Sequence, residues 1–423
     1  MNSEQMELVT MQQVVEAYYQ CLRGKRNTYD ALRFEANAES ECVRLWEEIN
    51  SGSYRPSRSI VFISNYPVKR EIFGAAFRDR VVDTIFAAKI VPVLERRFIE
   101  DNYSTRVDKG TLYGIHRVDQ MIRQRSENYT RDCWVMKLDM QSYFMSLPKD
   151  QVYQKFRRII MEDYHEADRD MLLHLLRVII NDRPEQHCVL NSRREEWVGL
   201  PHNKSLFYSD GLHGLPIGKV ISQMSALVYM DDLDQIFQQP EYSDISYGHY
   251  MDDMVLVGCD PQRLAWIRDN VIDRWAKENG VHRHPKKMQL QHYSKGVLFT
   301  GGMIKPGRIY LSRRTVGNCF TKLQRYNLLA ANHQGYAEKH YQEFMSVMNS
   351  YLGLMTHFSA RHWERRIARM IDKEWYRYIY FSRKGHRCKL VLRTPYREKT
   401  QALTCLRKEI HTLFEETTER KVA

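Results

Sequence analysis

Two adjacent carboxylates lie between two apolar segments in the stretch Ile245-Ser246-Tyr247-Gly248-His249-Tyr250-Met251-Asp252-Asp253-Met254-Val255-Leu256-Val257-Gly258. The first segment alternates loosely and the second is nearly continuous, which predicts a β-hairpin with a charged turn. Like charges side by side repel each other, and a divalent cation between them relieves the repulsion. Magnesium suits such oxygen ligands and completes its shell with water and substrate phosphates. The hairpin therefore predicts a metal site, provided that the chain supplies a third carboxylate.

A second copy of the same tetrapeptide occurs at Tyr229-Met230-Asp231-Asp232. It continues a helix-like run from Val220 to Phe237 and has no strand pattern on either side. We interpret this copy as a helix end with solvated acids. The copy at 250–253 is then the metal-bearing one, with a plain acidic turn as the alternative.

The third carboxylate is Asp139, which follows the buried-type strand Trp134-Val135-Met136-Lys137-Leu138. Sites in α/β proteins gather at the carboxyl ends of strands. With Asp252, Asp139 would hold two Mg²⁺ ions roughly 3.5 to 4 Å apart, one activating a primer 3′-hydroxyl and one stabilising the departing phosphate. This arrangement predicts nucleotidyl transfer. Phe144, five residues later, either excludes a ribose 2′-hydroxyl or is an ordinary core aromatic.

Composition favours a soluble protein that binds nucleic acid. The 423 residues suit two or three subdomains. A net charge of +12 with 26 Tyr and 7 Trp fits a surface for phosphates and stacked bases; the alternative is a basic protein without an anionic partner. Without a membrane-length apolar run or a signal-type N-terminus, we expect a cytoplasmic location. The eight cysteines lack C-x-x-C spacing, which argues against zinc and disulfides.

Basic residues cluster on both sides of a predicted long helix that runs through Ile85 and Leu94. On short strands and turns they would clamp a triphosphate, whereas a solvated charged face is the alternative. The candidates are Lys69, Arg70, Arg78, Arg80, Arg106 and Lys109.

A glycine-containing loop lies between the acid of the strand and the acids of the hairpin. It reads Ile217-Gly218-Lys219-Val220-Ile221-Ser222-Gln223. Gly218 permits close backbone approach, and the Ser222 hydroxyl and Gln223 amide open a helix where they could contact a base pair or backbone.

The order of these pieces over most of residues 56–375 resembles a reverse transcriptase. Group II intron enzymes carry Gln-Gly-x-x-x-Ser-Pro in the loop, whereas the Ile-Gly-x-x-x-Ser-Gln form resembles the reverse transcriptases of diversity-generating retroelements. Further stretches carry the same resemblance: Arg70-Glu71-Ile72-Phe73, Phe77-Arg78-Asp79-Arg80, Lys109-Gly110-Thr111, His284-Pro285-Lys286-Lys287, Gln291-His292-Tyr293-Ser294-Lys295-Gly296-Val297 and Asn349-Ser350-Tyr351-Leu352-Gly353.

The resemblance implies an α+β right-hand polymerase, with fingers, a palm built on an antiparallel sheet, and a helical thumb. The expected divisions are an N-terminal helical segment at 1–55, fingers and palm at 56–308, the thumb at 309–375, and a basic aromatic C-terminal extension at 376–423. The extension either binds the structured RNA template or packs on the thumb with a solvated face.

The resemblance also implies residue roles. Asp139, Asp252 and the supporting Asp253 would be the metal ligands, and Lys287 would be a general acid, with a solvated lysine as the alternative. Phe299-Thr300-Gly301-Gly302 would be a primer-gripping turn, although relatives usually have Leu where Thr300 stands. Residues expected to contact the incoming nucleotide, template or nascent pair are Arg70, Arg78, Arg80, Phe144, Ile217, Gly218, Ser222 and Gln223.

The implied function is RNA-directed DNA synthesis that copies a template-repeat RNA into cDNA with errors at adenines, in a prokaryotic or phage-encoded system. Template RNA, a primer or cDNA strand, dNTPs, two Mg²⁺ ions and a small basic accessory protein are the expected partners. An apolar Ile217 removes a hydrogen bond that would help to check pairing geometry, which lowers discrimination. The alternatives are a retron-like or phage-defence reverse transcriptase, and a non-catalytic RNA-binding scaffold, against which the three acids argue.

Overall fold

The computed structural model describes residues 8–24, 28–65, 68–385 and 387–398. The chain divides into two compact units, Met1–His292 and Tyr293–Ala423. The domain boundaries expected at 55, 308 and 375 stay predictions. Among the described residues, no helix combines the length and the apolar character needed to cross a bilayer.

The first unit mixes helices with two small sheets. Its helices are α1 (Met11–Leu22), α2 (Tyr29–Glu35), α3 (Ala38–Asn50), α4 (Phe77–Arg97), α5 (Thr111–Arg125), α6 (Tyr143–Ser146), α7 (Lys149–Asp163), α8 (Arg169–Asn181), α9 (Val220–Ile236), α10 (Pro261–Ile267) and α11 (Asp273–Glu278). Its strands are β1 (Ile60–Ser64), β2 (Arg70–Gly74), β3 (Trp134–Asp139), β4 (Val189–Leu190), β5 (Ser246–Tyr250), β6 (Asp253–Gly258) and β7 (Gln289–His292).

The N-terminal segment is helical, as its apolar spacing predicts. A capping box between Thr10 and Gln13 starts α1. Val14 and Tyr18, one helical turn apart, are buried on the face that packs against α4.

An antiparallel four-stranded sheet in the order β5-β6-β3-β7 forms the centre of the first unit. Strand β6 is apolar without alternation, and Met254, Val255, Leu256 and Val257 are fully buried. A central strand that is covered on both faces needs such a run. The sheet therefore holds both ends of β3 and β6 at fixed positions.

Helix α9 corrects one prediction. The helix from Val220 onward is confirmed, but Asp231 is buried and Asp232 is half-buried, and both form ion pairs. Asp231 is 1% exposed and accepts a hydrogen bond from Arg97 Nε at 2.8 Å. Asp232 accepts one from Lys155 Nζ at 2.7 Å and another from Arg158. These acids are ion-pair partners inside the fold, because cations from α4 and α7 face them.

The described part of the second unit combines a three-stranded antiparallel sheet and a two-stranded hairpin with helices. Its strands are β8 (Val297–Phe299), β9 (Gly302–Lys305), β10 (Arg308–Leu311), β11 (Ile379–Lys384) and β12 (Arg387–Leu392); its helices are α12 (Arg313–Asn332), α13 (Tyr336–Met355), α14 (Arg361–Met370) and α15 (Lys373–Tyr376).

The aromatic, basic segment after residue 375 forms the β11–β12 hairpin on α13. Asn349 of α13 fixes it, accepting from Leu390 N at 2.7 Å and donating to Leu390 O at 2.9 Å. Trp375 stacks on Phe344 with ring centroids 4.1 Å apart. The described part of this segment packs on the helices, and its binding of template RNA stays a prediction. Residues 399–423 of the predicted extension lie outside the described residues.

Candidate active site

The predicted charged hairpin is confirmed, and its register brings the acids together. Strands β5 and β6 pair antiparallel with Tyr250 opposite Asp253, which leaves Met251 and Asp252 as a two-residue turn. On the other side of β6, Asp253 lies directly opposite Asp139 of β3. Directly opposed residues of an antiparallel pair project from the same face. The three acids predicted as metal ligands therefore gather at one end of the sheet.

Burial and the neighbouring carboxylates raise the pKa of Asp252 and of Asp253. Burial, followed by the neighbouring Asp253 and Asp139 carboxylates, raises the pKa of Asp252 to about 7. The pKa of Asp253 is also raised, mainly by burial, with Lys137 acting in the opposite direction. The Asp139 carboxylate, directly opposite in the sheet, contributes to this increase in the pKa of Asp253. The site thus carries more negative charge than its surroundings neutralise.

Lys287 approaches this cluster because the segment before it runs along the end of β3. His284 N donates to the Asp139 carbonyl at 2.7 Å, and Gln141 N donates to the His282 carbonyl at 2.8 Å. The Lys287 ammonium then lies 2.8 Å from Asp139 Oδ2, with 55% of its side chain exposed. Lys287 is thus an exposed lysine that pairs with Asp139, and its role as a general acid stays a prediction.

The donor chemistry of this site fits a divalent cation. Its side chains supply carboxylate oxygens, which are the ligands that Mg²⁺ prefers, and its surplus negative charge calls for a cation. Across residues 8–24, 28–65, 68–385 and 387–398, no three Asp, Glu, His or Cys side chains are already arranged around a common metal position. The Lys287 ammonium supplies positive charge at Asp139 instead. The three acids remain the residues that would hold the metal.

The loop at 217–219 is held in a conformation that only glycine allows. Gly218 has φ +118°, and a Cβ added there would lie 2.8 Å from the Phe73 carbonyl oxygen. Phe73 N donates to the Ile217 carbonyl at 2.8 Å, which ties the loop to β2. Gly218 thus permits a close approach to the protein's own strand, and its contact with substrate stays a prediction. Ile217, half-buried, is thereby held at a fixed position.

A buried lysine, which the sequence reasoning did not single out, anchors the same loop. Lys219 is 4% exposed, and its Nζ lies 2.9 Å from Asp182 Oδ2. His187 Nε2 lies 2.9 Å from the other carboxylate oxygen. Ser222, in the first turn of α9, is buried at 5% exposure, so its hydroxyl is not open to a base pair as predicted, whereas Gln223 is half-buried.

Phe144 lies on the one-turn helix α6, which follows β3, the strand that ends at Asp139. Its ring is half-buried against the main core and meets Tyr143 edge-on at 6.1 Å. Its carbonyl accepts from Leu215 N at 2.8 Å, which joins α6 to the chain just before the glycine loop. A role in excluding a 2′-hydroxyl stays a prediction.

The three arginines predicted to face a triphosphate or template differ in their surroundings. Arg70 is exposed at the start of β2. Arg80 Nε donates to the Ala75 carbonyl at 3.0 Å. Arg78 is bound to Glu48 and donates to Ser57 Oγ at 3.2 Å. Arg78 is therefore held by an ion pair with an acid of α3. Arg70 is the exposed candidate for contact with a triphosphate or template.

The expected clamp formed by Arg106 and Lys109 is not observed. Their segment is a loop before α5 rather than a strand. Arg106 Nε donates to Glu95 at 2.9 Å, and Lys109 Nζ lies 3.2 Å from Glu100. Both side chains are less than a tenth exposed. They stabilise the loop through ion pairs with α4 and the residues after it.

Two features of the second unit bear on nucleic acid. Thr300 and Gly301, at φ +41° and +94°, form the turn between β8 and β9 where the sequence predicts a primer grip. Helix α14 bears a basic face that lines a concavity of about 850 Å³. Its lining residues are Phe358, Ser359, Arg361, His362, Arg365, Arg366 and Arg369.

The acidic residue of α14 does not neutralise the basic face of this helix, because it is buried and pairs with other residues. Glu364 is buried, and it accepts from Arg383 at 3.3 Å and from Cys388 Sγ at 3.1 Å. Arg366 lies 4.8 Å from the Phe320 ring centroid, which orients its guanidinium. Charge of one sign on an exposed concave surface is complementary to phosphates.

The sequence matches the reverse transcriptase (RNA-dependent DNA polymerase) family over residues 70–304. The chain therefore belongs to this family, a family of RNA-directed DNA polymerases. The mixed helices and antiparallel sheets agree with the predicted α+β polymerase fold. No curated protein matches the chain.

Among solved structures, the chain is similar to yeast telomerases. Telomerase from Candida albicans, in complex with a fragment of telomeric RNA, aligns at 10% identity and TM-score 0.43, covering 82% of this chain and 63% of that one. Apo telomerase from Candida tropicalis aligns at 12% identity and TM-score 0.43, covering 76% and 63%. Its form truncated from the C-terminal domain aligns at 12% identity and TM-score 0.41, covering 60% and 55%. The chain thus spans less than two thirds of these telomerase chains.

Proposed function

We propose that this protein is the RNA-directed DNA polymerase of a diversity-generating retroelement, which copies a template-repeat RNA into cDNA with errors at template adenines. Polymerase activity is supported above all by the convergence of Asp139, Asp252 and Asp253 at one end of the central sheet. The narrower assignment is supported by the loop Ile217-Gly218-Lys219-Val220-Ile221-Ser222-Gln223, which has an apolar residue where related enzymes carry glutamine.

In the proposed reaction, the primer 3′-hydroxyl attacks the α-phosphorus of a dNTP and the bond to pyrophosphate breaks. Asp139, Asp252 and Asp253 would hold two Mg²⁺ ions, which supply hydroxyl activation and neutralise charge on the leaving group. Lys287, whose ammonium already lies beside Asp139, would donate a proton to pyrophosphate. Phe144 would exclude the ribose 2′-hydroxyl.

The proposed partners are template RNA, a primer or cDNA strand and dNTPs. A small basic accessory protein completes the proposed system, in the cytoplasm of a prokaryotic or phage-bearing cell. Nucleic acid binding by the second unit is supported by the basic face of α14, where Arg365 and Arg369 are exposed one helical turn apart.

The narrower proposal is tested by sequencing cDNA made by the wild type and by Ile217→Gln, with the accessory protein supplied if synthesis requires it. We expect the wild type to misincorporate opposite template adenines. Ile217→Gln should lower that error rate about 3- to 10-fold, the effect of one added hydrogen bond. Val220→Gln, the same change of chemistry at an exposed neighbour in the loop, is the control and should leave the error rate unchanged. Rare errors spread over all four template bases in the wild type would instead favour the retron-like or defence reverse transcriptase.

The basic face of α14 is tested by the double variant Arg365→Gln/Arg369→Gln. Removing one arginine that binds a phosphate should flatten the dependence of log Kd on log salt by about 0.7 to 0.9, so the double variant should flatten it by up to about 1.8. Kd for RNA is measured by fluorescence anisotropy between 50 and 300 mM salt. Arg274→Gln/Lys277→Gln on α11 removes the same charge from another exposed helix and should leave the slope unchanged. Equal slopes for both double variants and the wild type would show that α14 does not bind the RNA.

A further inference from the structure

A fully buried histidine joins the catalytic turn to helix α9. His249 lies in β5, two residues before Met251, and its side chain is 0% exposed. Its Nδ1 lies 2.8 Å from the Met251 carbonyl oxygen, and its Nε2 lies 3.0 Å from Asp234 Oδ2. Asp234 is also fully buried, and its Oδ1 accepts from the Tyr247 hydroxyl at 2.8 Å. One ring thus spans from the core of α9 to the backbone of the turn.

The acceptors that face the His249 ring determine which of its nitrogens carry protons. A carbonyl oxygen accepts only, so Nδ1 must donate to Met251. An ionised Asp234 also accepts only, so Nε2 must donate as well, and His249 then carries a proton on each nitrogen. A neutral ring would leave two acceptors facing each other in the core, which is costly. When Asp234 is ionised, the chain Asp234–His249–Met251 is therefore fully paired only with both ring nitrogens protonated; in either state of Asp234, Nδ1–H donates to Met251.

The turn that this ring contacts needs external support. Met251 has φ +55°, a left-handed conformation that a residue with a side chain rarely adopts. Such conformations persist where the surroundings determine them. The backbone of His249 is itself fixed, since His249 N donates to the Asp101 carbonyl at 2.9 Å and Tyr103 N donates to the His249 carbonyl at 3.0 Å. Because the ring is fixed, its hydrogen bond restricts the backbone of Met251 and of the adjoining Asp252.

We propose that His249 is a positioning residue of the active site, which holds the Met251–Asp252 turn through its Nδ1–H donor while Asp234 fixes the ring. The expected effect of His249 on kcat rests on the proposed polymerase activity. Its expected effect on the conformational stability of the turn does not depend on that activity.

The groups around His249 agree with this assignment. Burial on its own lowers the pKa of His249, but the facing Asp234 carboxylate and the Met251 carbonyl outweigh it, so the pKa is raised. The Arg106 guanidinium acts in the opposite direction, more weakly. Tyr247 donates to Asp234 and is buried with it.

Three variants separate positioning from folding. His249→Phe removes the donor but leaves Asp234 buried without its cation, so it can fail through misfolding. His249→Phe/Asp234→Asn removes the buried charge too, which restores a neutral core while the Met251 bond stays absent. Asp234→Asn alone keeps that bond, because the asparagine amide can donate to Nε2 of a neutral ring and its oxygen can still accept from Tyr247.

The experiment measures single-nucleotide incorporation and hydrogen–deuterium exchange at residues 250–254, for each variant that melts cooperatively. We expect the double variant to lose about 10- to 100-fold in kcat with an unchanged KM for dNTP, and its turn amides to exchange faster. Asp234→Asn should retain kcat within about threefold and wild-type exchange. Wild-type kcat and exchange in a folded double variant would overturn the proposal. If the wild type incorporates no nucleotide, the proposed function fails, and the exchange comparison still decides whether His249 holds the turn.

Discussion

Asp252→Asn is expected to reduce deoxynucleotide incorporation by about three orders of magnitude or more, because it removes a charged ligand of the proposed Mg²⁺ site. The expected loss lies in kcat, since the substitution keeps the size of the side chain and its hairpin. Incorporation of one nucleotide on a primed RNA template, at saturating dNTP and 5 to 10 mM Mg²⁺, measures it. Retention of more than a tenth of the wild-type kcat would remove Asp252 from the proposed site.

The chain provides its own control in the second copy of the tetrapeptide. Asp232→Asn makes the same change of side chain at the second acid of Tyr229-Met230-Asp231-Asp232, which lies in α9 and pairs with Lys155 and Arg158. We expect wild-type kcat for this variant. Its role in the fold is electrostatic, because Lys155 and Arg158 lower the pKa of Asp232 in spite of its burial.

The two substitutions should also shift stability in opposite directions when divalent metal is removed. The pKa of Asp252 in the folded protein is about 7, above its ordinary value of 3.8, so its ionisation increasingly destabilises the fold as pH rises from about 4 to 7. Asp252→Asn should therefore melt above the wild type at pH 7.5, and the difference should vanish near pH 4. Asp232→Asn loses charge-assisted hydrogen bonds and should melt below the wild type. Thermal melts in EDTA at both pH values measure these differences.

Lys287→Met should lower kcat by about 100-fold, the effect expected of a positioned proton donor. The ammonium lies 2.8 Å from Asp139 Oδ2, so the substitution also leaves that carboxylate without its cation. Pre-steady-state incorporation separates the chemical step from product release and gives the relevant rate.

Two further variants distinguish the possible roles of Lys287. Lys286→Met removes an exposed neighbouring cation and should leave the rate unchanged. Lys287→Arg keeps a positive charge beside Asp139 but cannot readily donate a proton, because a guanidinium stays protonated at any working pH. A rate near that of Lys287→Met supports proton donation. A wild-type rate for the arginine variant would make Lys287 a counter-ion for Asp139 only.

The sequence was sufficient to predict the elements that place the acids. The hairpin at 246–258 is encoded by local patterning on both sides of a charged turn, and Trp134–Asp139 by its apolar run. Their pairing, with Asp139 opposite Asp253, agrees with the expected palm. Gly218 was also identifiable, because only a glycine tolerates φ +118° beside a backbone carbonyl.

Partners that are distant in sequence could not be predicted in the same way. Asp231 resembled a solvated acid because Arg97, 134 residues earlier, is invisible to local patterning. Arg106 looked available for a triphosphate because its hydrogen bond to Glu95 forms only in the folded chain. The ion pair between Lys219 and Asp182 depends on tertiary packing too. A charged residue within a run can be hydrated, bind a ligand or form an ion pair with another residue. The tertiary structure determines which of these interactions it makes.

The proposed role of His249 has one signal in the sequence. The residue before the tyrosine is His249 in the hairpin copy of the tetrapeptide and Val228 in the helical copy. A histidine within a strand that is otherwise buried requires partners for both nitrogens. Its carboxylate partner, Asp234, lies two residues after the helical copy, which links the two copies in the fold.

The most direct test of the central claim is primer extension by the wild-type protein on an RNA template, with one dNTP supplied at a time and Mg²⁺ either present or chelated. We expect extension that follows the template base, requires Mg²⁺ and uses deoxynucleotides in preference to ribonucleotides. Absence of template-dependent extension, with the native RNA and its accessory protein supplied, would contradict the central claim.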